Sequence, residues 1–375
     1  MKVKEYVGRL SEFIRLMTRA GVISKKDYYK WARENEEAIS KLFEYKRKEG
    51  MPGIYSLVTP FFHTTLPLVG LNYSQTAHNV LASFQEGWTS VLRLCRGIVF
   101  DRSGNLIALA FSKFFNYGEH PETRDLPNLP FEATVKQDGH LGIIFKYNDQ
   151  FMITTRGDFN SPTSVLASEM LGRYVKHNGW DNIYPNDTTT LVEIIHPQTK
   201  VYLEYAGKTN FTVIGAFNIK KLHDYDYNYL KELAVKLGLP ATELWTGKTL
   251  KDLVALMKDR SVTNQEGYVV RFSNCLRVKL KYETYIGKMV ADKLGYTYLM
   301  NRMIKGNLKR MLDTLPEEIY PIGLQMLGEI LLAFSVSGTA KEKWMSLYNL
   351  MPNGQATDYY KNICRQFVRM MTSVK

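Results

Sequence analysis

The stretch Phe131-Glu132-Ala133-Thr134-Val135-Lys136-Gln137-Asp138-Gly139-His140-Leu141-Gly142-Ile143-Ile144-Phe145 decides the fold. Strand-forming residues run over Glu132–Lys136 and again over Leu141–Tyr147, and the Asp-Gly pair between them is hairpin-turn chemistry. A lysine therefore ends a strand where the chain reverses. Further strand signals follow at Phe151–Thr155, Thr190–Ile195, Val201–Tyr205, Thr212–Ile219, Gly267–Phe272 and Leu276–Lys281. Upstream, Gly97–Phe100 reads as a strand running into the turn Asp101-Arg102-Ser103-Gly104. Helical spacing appears at 3–19, 26–48, 226–238 and 248–259. After Gly287 the text changes to Leu and Met at spacings of three and four. The pattern predicts an α+β protein, with antiparallel sheets and flanking helices over 1–288, including a helical extension at 1–50. An all-helical domain is expected at 289–375.

Composition narrows the function. The chain has 375 residues, 45% hydrophobic and 23% charged, which is ordinary for a globular protein. A net charge of +12 suggests a polyanionic partner, nucleic acid before membrane. No apolar run is long enough for a transmembrane helix, and the N-terminus lacks a signal-peptide core, so a cytoplasmic protein is expected. The three cysteines Cys95, Cys275 and Cys364 are scattered, which disfavours a disulfide framework and fits a reducing compartment. Gly207-Lys208-Thr209 and Gly247-Lys248-Thr249 lack the upstream glycine of a phosphate-binding loop and read as turns. No His-Glu-x-x-His occurs, so a zinc hydrolase has no support.

The candidate chemistry centres on Lys136. Taken alone, Lys136-Gln137-Asp138-Gly139 is a hairpin. As a nucleophile, a lysine needs its neutral amine, which nearby cations favour. In Leu276-Arg277-Val278-Lys279-Leu280-Lys281, alternation puts Arg277, Lys279 and Lys281 on one face, so two ammonium groups can hold a phosphate from one rigid strand. Glu193 and Glu266 lie in apolar, strand-like runs, where an unpaired carboxylate is costly to bury. Arg96-Gly97-Ile98-Val99-Phe100 and Lys113-Phe114-Phe115-Asn116 add two cations beside strand-like segments.

Taken in order, these pieces and Arg156-Gly157, Phe217-Asn218 and Glu266-Gly267-Tyr268-Val269 resemble the covalent nucleotidyltransferases: RNA ligases, DNA ligases and capping enzymes. The Arg-Gly-Ile-Val-Phe and Lys-Phe-Phe-Asn segments are similar to the ATP-dependent bacteriophage RNA ligases of the tRNA-repair type, over about residues 90–285. The resemblance implies that Lys136 attacks ATP to form lysyl-AMP, that AMP passes to an RNA 5′-phosphate, and that the RNA 3′-hydroxyl then displaces it. It implies that Asp138 orients Lys136 or its metal environment, and that Lys279 and Lys281 hold the α-phosphate. Arg96 and Lys113 would meet the outer phosphates, Glu193 the ribose and Phe217 the adenine. Arg156 would lie near the ribose or RNA phosphate, Tyr73 would contact the nucleotide, and Glu266 would support the metal. ATP and Mg²⁺, with Mn²⁺ as an alternative, are the implied cofactors. The implied partner is RNA with 5′-phosphate and 3′-hydroxyl ends, cleaved tRNA among the candidates, and a monomer is expected.

One departure matters. Where the family places a metal-binding acid in its helical domain, this chain reads Lys305-Gly306-Asn307-Leu308-Lys309-Arg310, with Asp313 the nearest acid. The helical character of 289–375 and the lack of an Arg-x-Asp-Lys motif there argue against DNA ligases and capping enzymes. An ATP-dependent DNA nick ligase and a non-catalytic RNA-binding protein of the same fold are the alternatives.

Overall fold

A computed structural model describes residues 2–81, 84–316, 318–336, 338–350 and 358–373. The chain divides into two compact units, Met1–Tyr282 and Glu283–Lys375.

The first unit begins with three helices, α1 (Lys2–Arg19), α2 (Lys25–Glu34) and α3 (Glu36–Leu42). Leu10, Phe13, Ile14 and Met17 recur at helical spacing and form the buried stripe of α1. The single helix expected over 26–48 is broken. Ser24 caps α2 by accepting from the Asp27 N–H, Asn35 ends it, and Glu44 takes a left-handed conformation beyond α3. Next come β1 (Val58–Phe62), β2 (Leu68–Tyr73), α4 (Gln75–Leu81), α5 (Ser90–Leu94), β3 (Arg96–Asp101) and β4 (Leu106–Ala108). β1-β2-β3-β4 form an antiparallel sheet in that order. The Ser11 hydroxyl donates to Gly104 O, tying α1 to the β3–β4 turn. Phe13, Tyr28, Ile39 and Phe43 share one apolar core with Val58, Leu71, Ile98 and Phe100. The N-terminal helices are thus part of the first unit's core.

The chain continues through β5 (Phe115–Asn116), α6 (Pro121–Arg124), β6 (Phe131–Lys136), β7 (His140–Tyr147), β8 (Gln150–Thr155), α7 (Pro162–Asn178), α8 (Trp180–Ile183), β9 (Thr188–Ile195), β10 (Asn210–Asn218) and β11 (His223–Asp224). Then follow α9 (Tyr227–Leu237), α10 (Leu250–Leu256), β12 (Gly267–Phe272) and β13 (Arg277–Lys281). Five strands form an antiparallel sheet in the order β11-β10-β9-β7-β8. Four form another, β5-β13-β12-β6, with only the β5–β13 pair parallel. Every residue of β9 is buried. Its Val192 and Ile194 pack with α7 and α9 residues, while Leu191 joins the core beneath the first sheet. That two-sided burial is why Thr190–Ile195 reads as a nearly continuous apolar run. Thr249 caps α10 by accepting from the Asp252 N–H, so the second Gly-Lys-Thr is a helix start.

The second unit holds α11 (Glu283–Lys293), α12 (Tyr296–Ile304), α13 (Leu308–Leu312), α14 (Tyr320–Ser335), α15 (Ala340–Tyr348) and α16 (Asp358–Ser373), and its described residues contain no strand. No helix among the described residues is long and apolar enough to cross a membrane.

Candidate active site

Strand register places the charged residues in rows. Gly267 pairs with Lys136 on β6 and with Lys281 on β13. Two residues along, Val269 pairs with Thr134 and Lys279, and Lys279 pairs onward with Asn116. The next row is Glu132, Arg271 and Arg277. These alternate residues point to one face. Lys136, Lys279, Lys281, Thr134, Val269, Glu132, Arg271 and Arg277 all line one cavity of about 480 Å³. Its other walls include Arg96, Phe111, Phe114, Arg156, Glu193, Ile214 and Gly215.

Glu266, 3% exposed, lies between the two lysines of the first row. Lys136 Nζ donates to its Oε2 and Lys281 Nζ approaches its Oε1, each at 2.8 Å. Burial alone would raise this carboxyl, but the two ammonium groups win and hold it below the usual carboxylate range. Gly267 needs a backbone that only glycine adopts readily: its φ is +148°, and a Cβ there would run into the Leu280 carbonyl. The row of two lysines depends on that close approach.

Glu193 behaves oppositely. Its Oε1 accepts from the Gly139 N–H at 3.0 Å. Burial pushes its carboxyl up to about 7, although Lys136 pulls the other way. Gly139 is pressed against the end of β9, where any Cβ would meet the Ile194 carbonyl.

Asp138 turns away from the phosphate side. Its Oδ2 accepts from the Tyr202 and Leu203 N–H groups at 2.8 and 2.6 Å, while its own N–H donates to the Tyr205 hydroxyl at 2.8 Å. His140 Nε2 adds a contact to Thr199 O at 3.0 Å. These bonds take the amides that a strand over Val201–Tyr205 would have used, which is why that expected strand is irregular chain.

The remaining cations divide into sets. The Phe114 ring carries the Arg96 guanidinium at 5.5 Å and the Lys279 ammonium at 5.4 Å, which brings β3 and β13 together at the cavity. Arg156 Nη1 donates to the Tyr73 hydroxyl at 2.7 Å and lies over that ring. Arg277 makes a bidentate pair with Asp224, both bonds 2.7 Å, and Arg271 shares the same carboxylate. Asp224 carries no local sequence signal; only its contacts with Arg271 and Arg277, on β12 and β13, reveal it.

Five expected site residues do not line the cavity: Glu266, which is buried against its two lysines, Asp138, which is bonded to Tyr202 and Leu203, and Lys113, Tyr73 and Phe217. Lys113 is buried, its ammonium 4.8 Å from the Phe115 ring centroid and 5.6 Å from that of Trp88. Tyr73 supports Arg156 from outside the cavity wall. Phe217 packs edge-on to Phe111 in the core. A bulge between Val213 and Gly215 breaks the alternation of β10 and turns Ile214 to the cavity instead. Among the described residues, no group of three or more His, Cys, Asp or Glu side chains has the arrangement of a metal site.

A strand-borne lysine beside a second lysine pair, facing one cavity, is an arrangement suited to holding phosphate. Residues 94–286, just over half of the chain, match the RNA ligase family, and the chain belongs to it. A curated relative from Thermovibrio ammonificans, named "Putative RNA ligase", is 25% identical over 232 residues, covering 57% of this chain and 60% of that protein. The chain thus spans well under two thirds of that relative's length. Among solved structures, a Naegleria gruberi RNA ligase with pyrophosphate is 18% identical over 42% of this chain and 51% of that one, with a TM-score of 0.36. A mutant of the same enzyme with ATP and Mn is also 18% identical over 42% of this chain and 50% of that one, at TM-score 0.36.

Proposed function

We propose that this protein is an ATP-dependent RNA ligase that joins a 5′-phosphate to a 3′-hydroxyl through a lysyl-AMP intermediate. The single observation that carries the reading is the row Lys136, Glu266 and Lys281, with Lys279 one row along, in a chain of the RNA ligase family.

In the first step, Lys136 Nζ releases Glu266, gives up a proton to solvent, and as a neutral amine attacks the α-phosphorus of ATP. The N–P bond forms, the bond to the bridging oxygen breaks, and pyrophosphate leaves. Lys279 and Lys281 neutralise the charge that builds on the transferred group, as in-line phosphoryl transfer requires. Arg96 approaches the same region through Phe114. Val269 from one sheet and Ile214 from the other offer apolar walls for the purine. Glu193, beside Gly139, is the candidate ribose contact.

In the second step an RNA 5′-phosphate oxygen attacks the lysyl-AMP phosphorus, forming a 5′–5′ pyrophosphate linkage and freeing Lys136. In the third, the 3′-hydroxyl attacks the RNA phosphorus and AMP leaves. Glu266 stays charged and is a hard oxygen donor at the site, and Mg²⁺ binds through one or two carboxylates with phosphates and water completing its shell, so the residues fit the metal. Bound there, Mg²⁺ would supply charge neutralisation at the phosphates.

The test is incubation with α-labelled ATP and Mg²⁺, then denaturation and detection of protein-bound label. ATP-specific label that survives denaturation is expected in the wild type and lost in Lys136→Ala. That variant should stay folded, because no core volume is lost and Lys281 still pairs with Glu266, but it should melt lower than the wild type because the buried carboxylate loses one of its two ammonium partners. Persistent label in the variant would mean another nucleophile. Sealing should favour single-stranded RNA, including a hairpin broken in its loop, over nicked duplex DNA; the reverse preference would make this a DNA ligase. Absence of label after pyrophosphate pretreatment would leave the non-catalytic RNA-binding reading.

A further inference from the structure

The turn that carries Lys136 has a second side. A hollow of about 220 Å³ is lined by Asp138, Gly139, Ile195, Pro197 and Leu203, together with the cationic side chains of Lys200 and Lys208 and the imidazole of His196. Gly139 lines both this hollow and the nucleotide cavity. A third hollow, of about 440 Å³, lies on α7 and is lined by Met170, Arg173, Tyr174, His177, His196 and Thr209. His196 lines both outer hollows, so the two adjoin and lead from α7 to the lip of the nucleotide cavity.

The chemistry of the track favours a single-stranded polyanion. Two carboxylates line it, and both are engaged: Asp138 with backbone N–H groups, Glu204 with Lys200. Among the described residues, Arg173 and Lys208 have no ion pair. Apolar and aromatic surface alternates with the cations, at Ile195, Pro197 and Leu203 in the first hollow and Met170 and Tyr174 in the second. Proteins hold single strands this way, with cations on the phosphates and flat apolar surface under the bases. A protein partner would call for a flatter, larger apolar face. The loop that presents Lys200 is fixed by His140 to Thr199 and by Asp138 to Tyr202 and Leu203, so it is built as a wall.

We propose that these adjoining hollows bind the RNA strand to be sealed, with Arg173 and Lys208 on its phosphates and its end delivered past Gly139 to the adenylylated Lys136. The proposal rests on the RNA ligase reading of the cavity.

The experiment uses the full chain, wild type and Arg173→Ala/Lys208→Ala, with a short 5′-phosphorylated single-stranded RNA. Three quantities are measured: protein-bound label from α-labelled ATP, RNA affinity between about 0.05 and 0.2 M KCl, and the KM for RNA in sealing. Label should be unchanged, since neither residue lines the nucleotide cavity. The slope of log affinity against log salt should fall by about 1.4, about 0.7 per lost phosphate contact, and the KM for RNA should rise about tenfold. Arg173→Lys/Lys208→Arg should restore both. An unchanged slope and KM in a variant that still takes label would overturn the track and leave the ligase reading standing. Failure of the wild type to take label would instead remove the ligase reading. In that case an altered salt slope in the variant still supports an RNA site, and an unaltered one refutes it.

Discussion

At the residue scale, two buried glutamates share one site and are driven in opposite directions. Glu266 faces two ammonium groups and stays charged; Glu193 is held by a single N–H and feels mainly its burial. The sign for Glu193 follows from linkage. Its carboxyl titrates near 4.5 unfolded and near 7 folded, so the folded protein holds more protons between those values. Its contribution to stability is complete below about pH 4.5, is lost as pH rises to about 7, and changes little beyond, for a total on the order of 3 kcal/mol. Glu193→Gln cannot titrate. The melting temperature of the variant minus that of the wild type should therefore grow by several degrees from pH 5 to pH 8. A gap that stays constant would mean that the carboxyl is not buried uncharged.

At the element scale, the Lys136 turn is held by a loop far along the chain. Asp138→Ala removes the acceptor of the Tyr202 and Leu203 N–H groups. Two N–H groups left without an acceptor cost about 2 kcal/mol or more. Hydrogen exchange at those two amides should speed up by about thirtyfold, with β9 and β10 unaffected. Label from ATP should fall in the same variant, because the turn carrying Lys136 loses its anchor. Equal exchange rates in variant and wild type would show that the anchor is not used. Gly267→Ala probes the opposite side of the row. A Cβ at φ +148° against the Leu280 carbonyl should part β12 from β13, lowering both stability and labelling. Normal labelling in that variant would mean the Lys136–Lys281 row tolerates a wider spacing.

At the scale of the whole molecule, every side chain lining the nucleotide cavity belongs to the first unit, the last being Lys281. The N-terminal helices share that unit's core through Phe13, Tyr28 and Phe43, so they are needed for folding. A fragment of residues 1–288 should fold and take label from ATP at close to the full-length rate, whereas removal of residues 1–50 should leave insoluble protein. A fragment 1–288 that folds, judged by its circular dichroism, but takes no label would assign residues 289–375 a part in the first step.

Periodicity alone placed Lys136 at a strand end and put Arg277, Lys279 and Lys281 on one face, because alternation along a strand is local. Glu193 and Glu266 stood out in the sequence for another local reason: a carboxylate in an apolar run must find a partner. Sequence could not name those partners. That Glu266 reaches back to Lys136, that Asp224 clamps Arg277, and that Asp138 anchors the chain at Tyr202 are contacts across 53 or more residues, decided by how distant segments pack. It also could not foresee the β10 bulge that turns Ile214 toward the cavity and leaves Phe217 in the core, since one extra residue reverses every facing beyond it. The local alphabet of strand, turn and charge belongs to the sequence; which charge meets which belongs to the tertiary structure, because only packing brings distant strands within hydrogen-bond reach.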